Sequence, residues 1–143
     1  MKCTTIFDPS RDEEVIIYAR EHSELIASIQ KLCTQDSTEL IGYKDKNAVI
    51  LDLSDIVCFM SDDNKVIAIT RGDRFILRSR LYKLEESLPC SFIRINQSCI
   101  ANIKMIERFD ASVSGTLRVH FKGGYVDYVS RRCMKKVKER FGI

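Results

Sequence analysis

Two short clusters of side chains carry this chain's capacity for recognition chemistry. In the first, Asn96, Gln97 and Ser98 interrupt an apolar run: Phe92, Ile93, Arg94 and Ile95 alternate before it, and apolar residues resume from Ile100 to Ile106. Core-forming residues on both sides pin such a break as a loop. Uncharged amides and hydroxyls presented there can hydrogen-bond a base edge or a phosphate. Asn or Gln bidentate to adenine contributes about 1–3 kcal/mol of discrimination. The structural alternative is a polar loop that satisfies its own backbone, with Ser98 and Asn102 closing local turns.

The second cluster is Val129, Ser130, Arg131 and Arg132, followed by Lys135. Two arginines in the first turn of a predicted helix oppose the positive end of its dipole, a conflict that a bound anion resolves. Arginine can clamp a phosphate or reach guanine O6 and N7, while Lys135 supplies attraction that salt weakens. Lys136, Lys138 and Arg140 lie later, where they complement the negative end of the helix instead.

Charge concentrates in the same place. The net charge is +3 over 143 residues, but residues 1–35 hold four basic and six acidic side chains. Residues 131–140 alone hold six basic and one acidic. A patch of that density is the electrostatic footprint of a nucleic-acid or anionic-surface contact; on charge alone the balance tips slightly to a solvated helix face.

Other classes of function find little support. No Ser-His-Asp order, Gly-rich phosphate loop or metal-spaced His/Glu pair occurs, and Asp62-Asp63 reads as a turn, so neither catalysis nor a cofactor is expected. The six cysteines form no Cys-x-x-Cys pair and only His22 and His120 could assist them, so no metal site is expected. They read as reduced and mostly buried thiols of a cytoplasmic protein, with Cys99 bordering the polar loop where an oxidant could reach it. No apolar run approaches the roughly 18 residues of a membrane span, and the N-terminus does not resemble a signal peptide.

The elements that must position these clusters follow from periodicity. Residues 2–7 and 15–19 read as strands around the turn Asp8-Pro9-Ser10, and Leu25, Ile26, Ile29, Leu32 and Cys33 recur at helical spacing behind a cap at His22 or Ser23. This ββα element, residues 1–35, is too small to bury much alone. Residues 34–38 read as a linker, and residues 36–143 as a second, mainly β (α+β) domain. There, strands over 40–43, 49–53, 56–60, 66–70 and 75–78 form an antiparallel meander, with turns at 44–47, 62–64 and 71–73. Ser79 is expected to cap a helix over 80–88 that Pro89 stops. Residues 117–122 alternate as a half-buried strand, with His120 on its exposed face beside Arg118 and Lys122. Gly123-Gly124 makes a hairpin turn and residues 125–129 return. Ser130 caps a final helix with Cys133, Val137 and Phe141 on its inner side.

Phe92, Arg94, Ser98, Asn102 and Ile106, preceded by LYKLEESL at 81–88 and followed by VSRR at 129–132, resemble the LytTR domain. That domain is the DNA-binding part of LytR/AlgR-type bacterial transcription regulators. The resemblance runs from about Leu40 to the end, and Asn96-Gln97-Ser98 replaces the His-Arg-Ser of many members, as Ala101 replaces Val. It implies antiparallel β-sheets with short helices and sequence-specific binding of double-stranded DNA by loops that enter its grooves. Asn64 and Lys65, at a hairpin turn, join the expected DNA-contacting set with Asn96, Gln97, Ser98, Arg131, Arg132 and Lys135. Arg132 is then the base reader and Arg131 the phosphate partner. The resemblance also implies a homodimer on repeated half-sites and bending of the DNA. It is strongest to stand-alone members without a receiver, in which the N-terminal extension serves oligomerisation or regulation and a small membrane protein restrains activity. An alternative is a protein-interaction module of the same fold that has lost DNA binding. A single-strand or RNA platform would want exposed aromatics in a motif that Tyr125 and Tyr128 do not form.

Overall fold

The computed structural model describes residues 2–12, 14–33, 39–112 and 114–143. The chain divides into two compact units, Met1–Thr34 and Gln35–Ile143, each described by itself. The expected linker, residues 34–38, lies outside the described residues.

In the first unit the helix forms as α1, Glu24–Cys33. Ser23 is its cap: the Ser23 hydroxyl accepts from the Ile26 N–H at 3.3 Å. At Asp8 the side chain accepts from the Ser10 N–H at 3.0 Å and its hydroxyl at 2.6 Å, closing the expected turn. The two strands do not form: the described residues of 2–7 and 15–19 carry no strand structure. A short apolar or β-branched run makes a strand only where a neighbour completes the hydrogen-bond ladder, and here neither segment supplies one to the other. Ile6, Phe7, Val15, Ile16 and Tyr18 are accordingly exposed.

The second unit is built on a seven-stranded antiparallel sheet. Its strands are β1 (Leu40–Lys44), β2 (Asn47–Leu51), β3 (Ile56–Asp62), β4 (Lys65–Thr70), β5 (Arg74–Leu77), β6 (Phe92–Asn96) and β7 (Cys99–Asn102). Their order across the sheet is β2-β1-β5-β4-β3-β7-β6. A three-stranded sheet, ordered β10-β9-β8, comprises β8 (Ile106–Ala111), β9 (Leu117–Phe121) and β10 (Val126–Val129). Helix α2, Leu81–Ser87, precedes β6, and α3, Arg131–Phe141, follows β10.

Side-chain alternation gives the large sheet two buried faces. Phe59 and Ile100, opposite each other on β3 and β7, join Val66, Ala68 and Leu77 beneath Leu81, Leu84 and Leu88. Cys58, Cys99 and Ala101 project the other way, into a core shared with Val119 and Phe121 of β9, Val129 of β10 and Val137 of α3. Each Val, Leu, Ile or Phe among them contributes about 1.5–3 kcal/mol by leaving water.

The helices end for local reasons. Ser130 accepts from the Cys133 N–H and starts α3, and Gly142, at φ 68°, ends it. For α2 the expected cap is wrong: Arg80 holds the N-cap position with no side-chain cap bond, and the Ser79 hydroxyl donates to the Arg80 carbonyl instead. Buried Leu81 and Leu84 hold this helix by packing rather than by its cap. Leu88 then turns to ψ 147°, the conformation that a following proline favours.

Candidate nucleic-acid interface

Each expected contact belongs to a tight turn or a helix start. Between β3 and β4, Asp63 and Asn64 have φ of 45° and 64°, the left-handed pair of a two-residue hairpin turn. Asn tolerates this conformation, which explains its place there. Asn64 and Lys65 are exposed. Between β6 and β7 the expected loop is shorter than its polar run: Asn96 and Cys99 still pair, and only Gln97 and Ser98 project as the turn. Both are exposed.

Asn96 behaves differently from the expectation. It is 3% exposed, and its side-chain N–H groups donate to Asp127 Oδ1 at 3.0 Å and the Tyr128 carbonyl at 2.8 Å. Its Oδ1 accepts from the Ser98 N–H at 2.8 Å. Both donors and the acceptor are committed inside the protein, so the expectation that Asn96 reaches a base is corrected: it positions the turn.

Hydrogen bonds bring the three loci together. The Ser61 N–H donates to the Ser98 carbonyl at 2.8 Å, which sets the 97–98 turn beside the end of β3 and hence beside the 63–64 turn. Adjacent strands in a sheet lie about 4.8 Å apart, so these turns form one continuous rim. On the other side, Asn96 grips Tyr128, and the Ser130 N–H donates to the Ile95 carbonyl at 2.8 Å. Ser130 is the cap of α3, so Arg131 and Arg132 begin where that tie ends. Arg131, Arg132 and Lys135 are exposed, and none of them is in an ion pair among the described residues. Asp62 and Asp63 add negative charge to the same rim.

Three positioning residues escaped the sequence reading. Arg94 donates from Nε to the Asn96 carbonyl at 3.1 Å and from Nη2 to the Gln97 carbonyl at 2.5 Å, while Nη1 pairs with Glu85 Oε2 of α2 at 2.8 Å. One guanidinium thus ties the turn to a helix. Asp127 accepts from Asn96, the Tyr128 N–H and the Tyr125 hydroxyl. Burial, then the Asp127 charge, pushes the Tyr125 phenol upward, so it remains a donor. For Arg94 the available signals were the alternating basic residue in β6 and its place among the residues that carry the family resemblance.

Two further expectations change. His120 is half-buried, its Nε2 2.6 Å from Asp110 Oδ2, and this bond holds the Asp110 carboxyl below its ordinary value. Cys99 is fully buried, and hydrogen bonding to Cys58 followed by burial pushes its thiol upward, the opposite of a reactive thiolate. Only Cys58 and Cys99 are buried, whereas Cys3, Cys33 and Cys90 are exposed. No helix among the described residues is long and apolar enough to cross a membrane.

Comparison with known proteins shows the family and the fold. The chain is 36% identical over 146 residues to an uncharacterized HTH-type transcriptional regulator of Staphylococcus aureus strain bovine RF122 / ET3-1, covering 100% of this chain and 99% of the relative. A counterpart of the same description from strain NCTC 8325 / PS 47 matches with the same identity and coverage. Within residues 39–143, α2 and α3 are separated by five strands, so these two helices do not form a helix-turn-helix. The fold resembles the LytTr DNA-binding domain of a protein described as a methyl-accepting/DNA response regulator from Bacillus cereus, at a TM-score of 0.70 and 18% identity, over 75% of this chain and 100% of that one. The family model for the LytTr DNA-binding domain matches residues 46–142, which contain both hairpin turns and all of α3. That match, over more than half of the chain, together with relatives 36% identical along its whole length, makes the chain a member of the LytTr DNA-binding domain family.

Proposed function

We propose that this chain is a sequence-specific transcription regulator that reads duplex DNA with the rim of its sheet. The turn at Asn64 and Lys65 and the turn at Gln97 and Ser98 enter grooves, while the start of α3 supplies Arg131, Arg132 and Lys135. Gln97 and Arg132 read bases, Ser98 and Arg131 hold phosphates, and Lys65 and Lys135 add salt-sensitive attraction. Asn96 acts behind them as the positioning residue. The observation that carries the reading is the paired tie of β6 to the α3 entry, by Asn96 to Tyr128 and by Ser130 to Ile95, which joins an uncharged turn to two arginines.

The remaining features follow the same family behaviour. The protein works in the cytoplasm as a homodimer on repeated half-sites, with residues 36–143 as the DNA-binding domain and residues 1–35 as an oligomerisation or regulatory extension. A small membrane protein restrains it, and no chemistry is performed on a substrate.

Selection of bound duplexes from a random pool tests the proposal. The expected result is a recurrent motif in repeated half-sites, bound more tightly than scrambled DNA by about 10³-fold or more. Recovery of no motif, with equal affinity for all duplexes, would overturn sequence-specific reading.

A further inference from the structure

We infer that two copies of this chain pair through the free edge of β2, continuing the seven-stranded sheet across a two-fold axis at Val49. The inference rests on the dimeric reading above and supplies its interface. Strand β2 is the first in the order β2-β1-β5-β4-β3-β7-β6, so among the described residues one side of it has no neighbouring strand in the sheet. Sheet edges are ordinarily guarded by charge, proline or a bulge. None guards this one: Asn47, Ala48, Val49, Ile50 and Leu51 are uncharged, and all but Leu51 are exposed.

The hairpin fixes which backbone groups face outward. Asp45 and Lys46, at φ 49° and 68°, form a two-residue turn, so Lys44 and Asn47 are its closing hydrogen-bonded pair. Hydrogen-bonded and open pairs alternate along an antiparallel ladder. The N–H and C=O groups of Ala48 and Ile50 therefore point off the free edge.

A second copy fits this edge better than an arbitrary strand, because the edge is complementary to itself. Antiparallel pairing about Val49 sets Ala48 of each copy opposite Ile50 of the other, so those four residues exchange their outward groups. The same register sets Lys46 opposite Asp52 of the second copy at both ends, joining opposite charges. It also continues an apolar strip. Ile41 pairs with Ile50 and Tyr43 with Ile76, so Ile41, Ile50 and Ile76 share a face, at 43%, 67% and 43% exposed. Across the axis the two Ile50 side chains become diagonal neighbours, within reach of one another. Because β2 and β6 end the strand order on opposite sides, the pairing leaves both reading turns uncovered.

Sedimentation of the full chain, with cross-linking, tests the interface. Wild type sediments as a dimer, Lys46→Asp raises the dimer dissociation constant about tenfold or more, and Lys46→Asp with Asp52→Lys restores it. The single Asp52→Lys variant, which loses the bond from the Ser54 N–H to Asp52, is the control for that loss and also weakens the dimer. In a background with Cys3, Cys33 and Cys90 replaced by serine, Val49→Cys cross-links on oxidation, since the two sulfurs meet at the axis, and Asn47→Cys does not. A monomeric wild type, or a dimer untouched by Lys46→Asp with no cross-link at Val49→Cys, overturns the inference. A mobility shift of the same proteins separates the two claims: a chain that cross-links at Val49→Cys yet binds no selected duplex refutes DNA reading and leaves this interface standing.

Discussion

Replacing Asn96, itself buried, with alanine removes three part-buried hydrogen bonds and leaves their partners unmet at the foot of an exposed turn. The Tyr128 carbonyl loses a donor at 2.8 Å, the Ser98 N–H loses its acceptor, and Asp127 keeps only Tyr125 and the Tyr128 N–H. Leaving a buried polar group unmet costs about 1–3 kcal/mol, more for a charged one. The three losses overlap, because relaxing the turn lets water reach some of the groups, so the expected destabilisation is about 2–4 kcal/mol. With a urea slope of about 1–3 kcal/mol per molar, the unfolding midpoint falls by about 1–2 M. Under conditions where the variant stays folded, specific affinity falls because the 97–98 turn is no longer held beside α3, while salt-sensitive binding to scrambled duplex persists. An unchanged urea midpoint together with loss of preference at one base position would refute this reasoning. That outcome would make Asn96 a direct reader rather than a support.

Three other perturbations separate the remaining roles. Arg132→Ala is expected to cost about 1–3 kcal/mol on the selected duplex and to relax preference at one position, measured by titration against single-base variants. Unchanged affinity and preference would remove Arg132 from the site. Lys135→Ala should weaken all sequences alike and reduce the slope of log affinity against log salt by about 0.9, read from titrations across salt concentrations. For the Asp110–His120 pair, the lowered carboxyl contributes stability above its unfolded value, and that contribution is lost as pH falls through its folded value. His120→Ala should raise the Asp110 titration midpoint toward the ordinary carboxylate range, as followed by NMR; a midpoint that does not move would show that the bond to His120 is not its cause.

What the sequence revealed was local. Gly123-Gly124 and Ser130 announce a hairpin and a cap because the physics of each involves residues a few positions apart, and both form. The three candidate loci stand out for the same reason: a polar break, a turn and a basic helix start are each contiguous. Asn96 was misjudged because its partners, Asp127 and Tyr128, lie more than thirty residues away and only the fold brings them near. His120 likewise changes from an exposed strand residue to a half-buried partner of Asp110 on the neighbouring strand. The strand reading of residues 2–7 and 15–19 failed because short apolar runs around a turn signal do not supply the strand beside them. Ser79 was one residue too early for a cap, since the buried Leu81 and Leu84 fix where α2 begins.

The measurement closest to the central claim is amide chemical-shift mapping of the full chain titrated with a selected duplex. One contact surface predicts that residues 63–65, 97–98 and 131–135 shift together, at the same DNA ratio, with Tyr82 and Lys83 on α2 unmoved. Shifts centred on α2, or changes at α3 with none at Gln97 and Asn64, would contradict it.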